Sequence, residues 1–212
     1  MNVTIIGAGN MARGIATRLV AGGHSVALVG KDREKAEALA ADLRKGQAGA
    51  KVAVADLDRA LANPVIVLAT PYAAAKEFAV ANAGRLAGKI VVDITNPLNA
   101  TYSGLATPPG ISAAEEIAAF APGARVVKAF NTVFAGPLAK GVQGGKPLQV
   151  LVAGDDAAAK ATVIGLVTDG CLAAIDAGPL ARARELEGVA LLGITLQGTL
   201  GTGYQSAWQI AA

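Results

Sequence analysis

The sequence predicts an α/β protein: a doubly wound, mostly parallel sheet flanked by helices, with a small C-terminal helical extension. Three observations lead there. Apolar runs of strand length, at 2–6, 25–29, 50–55, 65–69, 90–94, 125–129, 148–153 and 172–175, alternate with helical patterns, and this βαβα order is that of a parallel sheet. Hydrophobic residues make up 53% of the chain and aromatics only 4%, with 26 glycines, so the core is built from Ala, Val, Ile and Leu, as strands covered on both faces require. The 212 residues suffice for one sizeable core and leave no room for a second large domain. We expect residues 1–178 to form the sheet domain and 179–212 the helical segment. Crossovers should be right-handed, with ligands at the carboxyl ends of the strands.

The elements follow in order. The first strand runs into Gly7-Ala8-Gly9-Asn10-Met11-Ala12, which opens a helix that Gly22-Gly23 closes. After the second strand and Gly30, Asp32 is expected to cap a helix over 33–44, because its carboxylate accepts from orphan N–H groups and suits the positive helix end. Ser112-x-x-Glu115 is a capping box for the helix over 117–120, and Asp155-Asp156 opens another that runs through Val167. Two connections, 95–111 and 137–147, are rich in Gly, Pro and small polar residues; loops of such length usually carry function.

Charge and composition exclude several classes of partner. The formal charge is +3 and the isoelectric point about 9.1. Lys and Arg are dispersed, and no basic run interleaves with aromatics, so a small anionic molecule is expected and nucleic acid is not. Cys171 is the only cysteine; it permits no intramolecular disulfide, fits a reducing cytoplasm, and is expected to be a buried, inert thiol at the start of a strand. Met1 leads directly into the first strand and no apolar stretch reaches the roughly 18 residues of a membrane span, so a cytoplasmic protein with no signal peptide and no membrane partner is expected. His24, the only histidine, precedes the second strand at the edge away from the expected ligand side, where packing is its expected role. One His and one Cys make no common zinc site, and no Ser/His/Asp arrangement or G-x-S-x-G elbow is visible.

The chemistry-bearing residues lie just after strands. Gly7 and Gly9 permit a tight turn and close approach of a pyrophosphate, which the free N–H groups of the helix N-terminus and the helix dipole would hold. Roughly twenty residues on, where an NAD-binding chain places an acid on the ribose 2′-hydroxyl, stands Lys31, followed by Arg33 and Lys35. Such a cluster suits a 2′-phosphate and hence NADP(H). Thr70-Pro71-Tyr72, Asn96-Pro97 and Phe130-Asn131-Thr132 end three further strands, where the Thr70 hydroxyl and the Asn96 and Asn131 amides could line a nicotinamide pocket. No catalytic acid, base or nucleophile stands out. Chemistry carried by cofactors, with the protein binding and orienting them, fits that absence.

Gly7-Ala8-Gly9-Asn10-Met11, Thr70-Pro71, Asp93-Ile94-Thr95-Asn96-Pro97, Val126-Val127-Lys128-Ala129-Phe130-Asn131-Thr132, Gly154-Asp155-Asp156 and Asp176-Ala177-Gly178-Pro179-Leu180 occur in this order. Together they resemble the coenzyme F420-dependent NADP oxidoreductases, a family that includes the cytosolic reductase domain of the six-transmembrane epithelial antigen of prostate metalloreductases. The resemblance implies a Rossmann domain with a small helical part, usually dimeric, in which NADP(H) exchanges a hydride with a deazaflavin or a flavin such as FMN or FAD. It implies that Ala8 to Met11 hold the pyrophosphate and that Lys31, Arg33 and Lys35 hold the 2′-phosphate. Thr70 to Tyr72 would border the riboses, and Asn96, Pro97, Phe130, Asn131 and Thr132 would wall the space where the rings stack. Arg182, Arg184 and Leu191 would close the acceptor pocket or form a homodimer contact. Archaeal F420 enzymes carry a histidine after the sixth strand, where this chain has Phe130-Asn131-Thr132, and the second strand lacks the Ser/Thr-Arg pair common in the family. No membrane domain follows, so transmembrane electron transfer by this chain alone is not expected. Two alternatives are an imine reductase of the pyrroline-5-carboxylate reductase kind, whose opening motif is the same, and a non-catalytic NADP(H)-sensing module.

Overall fold

The computed structural model describes residues 1–211. Strand β1 (Asn2–Ile6), helix α1 (Asn10–Ala21), β2 (Ser25–Val29), α2 (Arg33–Gly46) and β3 (Val52–Val54) form the first half-sheet. The short helix α3 (Leu57–Ala60) leads to β4 (Val65–Leu68), α4 (Tyr72–Leu86), β5 (Ile90–Asp93), α5 (Ala113–Phe120) and β6 (Arg125–Lys128). Helix α6 (Ala135–Lys140), the two-residue strands β7 (Val142–Gln143) and β8 (Lys146–Pro147), β9 (Gln149–Gly154), α7 (Ala157–Asp169) and β10 (Ala173–Gly178) complete the sheet region. A 3₁₀ turn (Leu180–Arg182), α8 (Ala183–Thr195) and α9 (Gln197–Leu200) follow. The expected strands are found to within three residues of their ends, the largest difference being β10, expected at 172–175 and observed to run on to Gly178.

The eight-stranded sheet has the order β10-β9-β6-β5-β4-β1-β2-β3. Chain order reverses beside β1, which pairs in parallel with both β2 and β4, and a ligand crevice belongs at such a switch point, beyond the carboxyl ends. Side chains alternate between the two faces. Val65 and Val67 enter a core with Ile15, Leu19 and Val163, whereas Ile66 and Leu68 enter a second core with Leu86 and Ile117. Both cores are required because β4 and β5 are buried along their whole length, and each fully buried Val, Leu or Ile side chain contributes about 1.5–3 kcal/mol.

Strand β9 pairs antiparallel with β6, and β10 runs parallel to β9. The turns after β9 and β10 therefore open at the edge opposite the switch point, and Asp155 and Asp156 are not ligand-edge residues. The physical reason is length: α6 has six residues, about 9 Å at 1.5 Å per residue, too little to carry the chain back across the sheet. The stretch 137–147 is accordingly an ordered helix end and hairpin rather than a long loop. Its glycines serve turns: Gly141 ends α6 at φ 77°, and Gly144 and Gly145 turn the hairpin at φ 58° and 77°.

Local signals behave as their chemistry dictates. Asp32 accepts from the Lys35 amide at 3.0 Å, Ser112 and Glu115 form both bonds of the capping box, and Asp156 caps α7 by accepting from the Ala159 amide at 2.7 Å. Cys171 differs from expectation: it is exposed, at φ 59°. It is the left-handed residue that ends α7, with its amide donating to the Thr168 carbonyl at 2.9 Å.

His24 is buried at the opposite edge. Its Nδ1 lies 3.0 Å from the Met1 nitrogen and its Nε2 3.3 Å from Asp169 Oδ2. Burial, then the charge at Met1, lowers its pKa from 6.5, and the Asp169 carboxylate opposes this only in part. The unfolded chain then binds the proton more readily, so this group's contribution is fully present above pH 6.5 and is lost as pH falls toward the lower folded value. Urea unfolding at pH 7.5 and 5.5 should show lower stability at the acid pH, and His24→Gln should flatten that difference.

Candidate functional site

The turn between β1 and α1 forms the cradle. Gly7 has φ 123°, and a Cβ there would collide with the Ala69 carbonyl at the end of β4, so only glycine brings these segments together. The same Cβ would stand 3.4 Å from Thr70 Cγ2, which puts Thr70 beside the cradle. Gly9 occupies the N-cap of α1, with no side chain capping the helix and no acid in its first turn. A Cβ at Gly9 would meet nothing within 4 Å. Open space before uncapped helix amides fits a pyrophosphate. Gly30 brings the end of β2 alongside: its Cβ position is 3.5 Å from Ala8 Cβ. Of the seven buried side-chain polar atoms without hydrogen-bond partners among the described residues, Thr70 Oγ1, Thr95 Oγ1 and Asn131 Oδ1 follow strands at this sheet edge. Orphan polar atoms at one sheet edge are ones a bound ligand satisfies.

The basic cluster splits. Arg33 lies 3.1 Å from Asp56 Oδ1 and 3.6 Å from Glu37 Oε1, so its guanidinium is engaged by carboxylates. Lys31 and Lys35 are exposed, and neither ammonium forms an ion pair among the described residues. The Arg33 pairs are solvent-exposed and so individually weak. Lys31→Glu should raise KM for NADPH about tenfold, equivalent to 1.4 kcal/mol, and leave KM for NADH nearly unchanged; initial rates with both nucleotides check this.

Beyond the cradle lies a cavity of about 250 Å³, reached by Met11 on one side and by α8 on the other. Asn96, Phe130, Asn131 and Thr132 line it, as the sequence suggested. Asn131 Nδ2 donates to Asn96 Oδ1 at 3.0 Å and Asn96 Nδ2 donates to the Asn131 carbonyl at 2.9 Å, so the segments after β5 and β6 are locked as one wall. Pro97 is not in the lining; its carbonyl accepts from the Ala106 amide at 2.6 Å, shaping the loop. Pro71 stands at the N-cap of α4. The Tyr72 hydroxyl turns away to donate to Glu116 on α5, and burial, then that carboxylate, raises its pKa.

Sequence reading missed Tyr102, Phe134 and Tyr204 in the lining. Tyr102, Phe130 and Tyr204 have φ of 57°, 63° and 61°. A left-handed backbone at a bulky residue costs about 1–3 kcal/mol, and three of the four such non-glycine residues among those described line this one cavity. Helix α8 borders it through Ala190, Gly193 and Ile194, not through Arg182, Arg184 or Leu191. Arg182 pairs with Glu185. Arg184 reaches Glu115 at 2.5 Å and holds that carboxyl at a pKa of about 2, fastening α8 to α5.

Beneath the wall lies a buried ion cluster that sequence reading also missed. Lys128 Nζ is 2.8 Å from Asp93 Oδ2 and 2.7 Å from Glu187 Oε1, with all three side chains fully buried. It also donates to the Thr95 carbonyl at 2.6 Å. Glu187 accepts from the Ala113 amide at 3.0 Å, and burial raises its pKa against the pull of Lys128. A lysine inside an apolar strand and a glutamate inside an apolar helix were the available signals.

The family model described as NADP oxidoreductase, coenzyme F420-dependent, matches residues 2–97. Metalloreductase STEAP3 of Rattus norvegicus is 33% identical over 89% of this chain, which spans only 36% of that protein. A crystal structure from Arthrobacter sp. FB24, of a protein assigned as an F420-dependent NADP-reductase, superposes with TM-score 0.81 at 31% identity, covering 99% of both chains. A reductive aminase from Aspergillus terreus, in complex with NADPH, shares the fold at TM-score 0.66 and 24% identity, over 94% of this chain and 63% of its own. The likeness to the Arthrobacter protein runs through cradle, wall and C-terminal helix alike, and the chain belongs to the coenzyme F420-dependent NADP oxidoreductase family, on a Rossmann-type dinucleotide-binding fold.

Proposed function

We propose that the chain transfers a hydride between NADP(H) and a planar acceptor, coenzyme F420 or a free flavin such as FMN or FAD. The observation that carries this reading is the cavity beside the cradle: about 250 Å³, walled by aromatic, apolar and amide side chains, with no carboxylate, lysine, arginine, histidine or cysteine in its lining. Bound nicotinamide supplies the two-electron hydride chemistry. The protein's own work is orientation. The Asn96–Asn131 interlock holds the wall rigid, Asn131 Oδ1 remains available to a ligand donor, and Phe130 and the two tyrosines exclude water. In this reading Gly7 to Met11 hold the pyrophosphate, Lys31 and Lys35 the 2′-phosphate, and Thr70 the ribose side. Residues 1–178 then form the dinucleotide-binding body and 179–212 cover the acceptor.

The test is oxidation of NADPH by the purified protein with F420 in one cuvette and FMN in another. Bleaching of either acceptor supports the reading; turnover of a cyclic imine with neither bleached replaces it with imine reduction, and tight NADPH binding with no acceptor reduced replaces it with a sensor. Asn131→His should change the ratio of F420 to FMN turnover by about fivefold or more, the equivalent of 1 kcal/mol, with little change in KM for NADPH. A cytoplasmic homodimer belongs to the same proposal: the exposed side chains of Leu192, Leu200 and Ile210 suit burial against a second copy, which sedimentation equilibrium tests.

A further inference from the structure

The chain has six glutamines, and five of them, at 143, 149, 197, 205 and 209, tie down one segment, residues 202–210. The segment forms no helix or strand, and among the described residues no backbone-to-backbone bond joins it to the rest of the fold. Its outer ties are exposed side-chain bonds. Gln149 exchanges two with the Ile210 backbone, at 2.6 and 2.9 Å, and Lys140 Nζ lies 3.0 Å from Gln205 Oε1. Hollows of about 90 and 220 Å³, both bordered by Trp208, remain beneath it. Exposed bonds and loose packing mark the parts of a fold that open most readily.

On the inner side one residue holds it. Gln197, buried on α9, accepts from the Thr202 hydroxyl at 2.6 Å and from the Tyr204 amide at 3.0 Å, and donates to Ser206 Oγ at 3.0 Å. The fixed amide places Tyr204 in the cavity lining, where its ring meets Phe134 edge to face with centroids 5.2 Å apart. Two helical glycines make room for the segment. A Cβ at Gly193 on α8 would stand 2.8 Å from Trp208 Nε1, and one at Gly136 on α6 would overlap the Gln205 amide. Glycine weakens a helix relative to alanine, and at both positions the seat of the segment accounts for it.

We infer that residues 202–210 are a releasable cover of the cavity, latched by Gln197, and that the planar acceptor enters and leaves by its release. The inference rests on the hydride-transfer reading for what fills the cavity. Gln197 is outside the lining and acts through Tyr204, as a positioning residue. A cover that must open slows association, so loosening its latch speeds it.

Gln197→Leu keeps the volume of the buried side chain and removes the latch. Stopped-flow mixing of FMN, and separately of F420, with the NADP⁺-saturated protein should show association and dissociation both faster by about tenfold in this variant. Trp208 is the only tryptophan and reports on the segment itself: acrylamide should quench its fluorescence more readily in Gln197→Leu than in wild type. Gly136→Ala decides the matter should Gln197→Leu not fold, because alanine favours the helix while displacing Gln205. It should speed both rates without lowering the melting temperature. Faster dissociation alone makes Tyr204 a wall contact and overturns the inference, as do unchanged rates in the folded variants; NADPH oxidation in those cases leaves hydride transfer standing. Both rates raised without NADPH oxidation supports the cover and sinks hydride transfer instead. No binding of FMN or F420 to the wild type overturns both.

Discussion

Lys128→Met should cost about 3–5 kcal/mol of unfolding free energy, the largest effect expected of any single side chain. The substitution keeps the volume of the stem and removes the one cation that, among the described residues, pairs with Asp93 and Glu187, both fully buried. Two carboxylates are then left without water and without a counter-charge, and one of them must take up a proton. Urea unfolding at pH 7.5 measures the loss. At pH 5 the deficit relative to wild type should shrink, because protonation relieves the repulsion. Glu187→Gln added to Lys128→Met should recover part of the stability, because one buried charge goes while its bond from the Ala113 amide survives. A wild-type-like denaturation curve for Lys128→Met would show that the cluster contributes nothing net. Function should suffer beyond stability, since the Lys128 bond to the Thr95 carbonyl supports the segment that carries Asn96. The single variant should therefore raise the KM of the acceptor even at temperatures where it is fully folded.

Gly7→Ala is the second large effect. At φ 123° an alanine is strained by about 1–3 kcal/mol, and its Cβ would collide with the Ala69 carbonyl, so the turn must shift. In the proposed reading, that shift would move the amides at the start of α1 away from the pyrophosphate they hold. A displacement of this energy weakens NADPH binding by about fivefold to a hundredfold, measured by calorimetry. Gly9→Ala is the control: the space at Gly9 is open and its φ is −87°, so the fold should be retained. Any loss of NADPH affinity in Gly9→Ala then reports contact between that Cβ and the ligand. Unchanged affinity in both variants would remove the cradle from the binding site.

The sequence alone determined the local chemistry of this protein: the strands, the caps at Asp32, Ser112 and Asp156, the glycine turn, and the residues after β5 and β6 that converge on one cavity. Apolar runs of strand length, caps and turns depend on near neighbours in the chain and are legible without a fold. Tertiary structure decided what depends on distant pairs. It reversed β9 and β10, since α6 is too short to cross the sheet. It exposed Cys171, whose place at a helix end outweighs its apolar neighbours, and it bound Arg33 to Asp56, twenty-three residues away. It brought Lys128, Asp93 and Glu187 together, a lysine and two acids whose burial is tolerable only because they meet, and it carried Tyr102 and Tyr204 to a cavity that neither adjoins in sequence. Such partners are chosen by how the elements pack, and no local pattern encodes that choice.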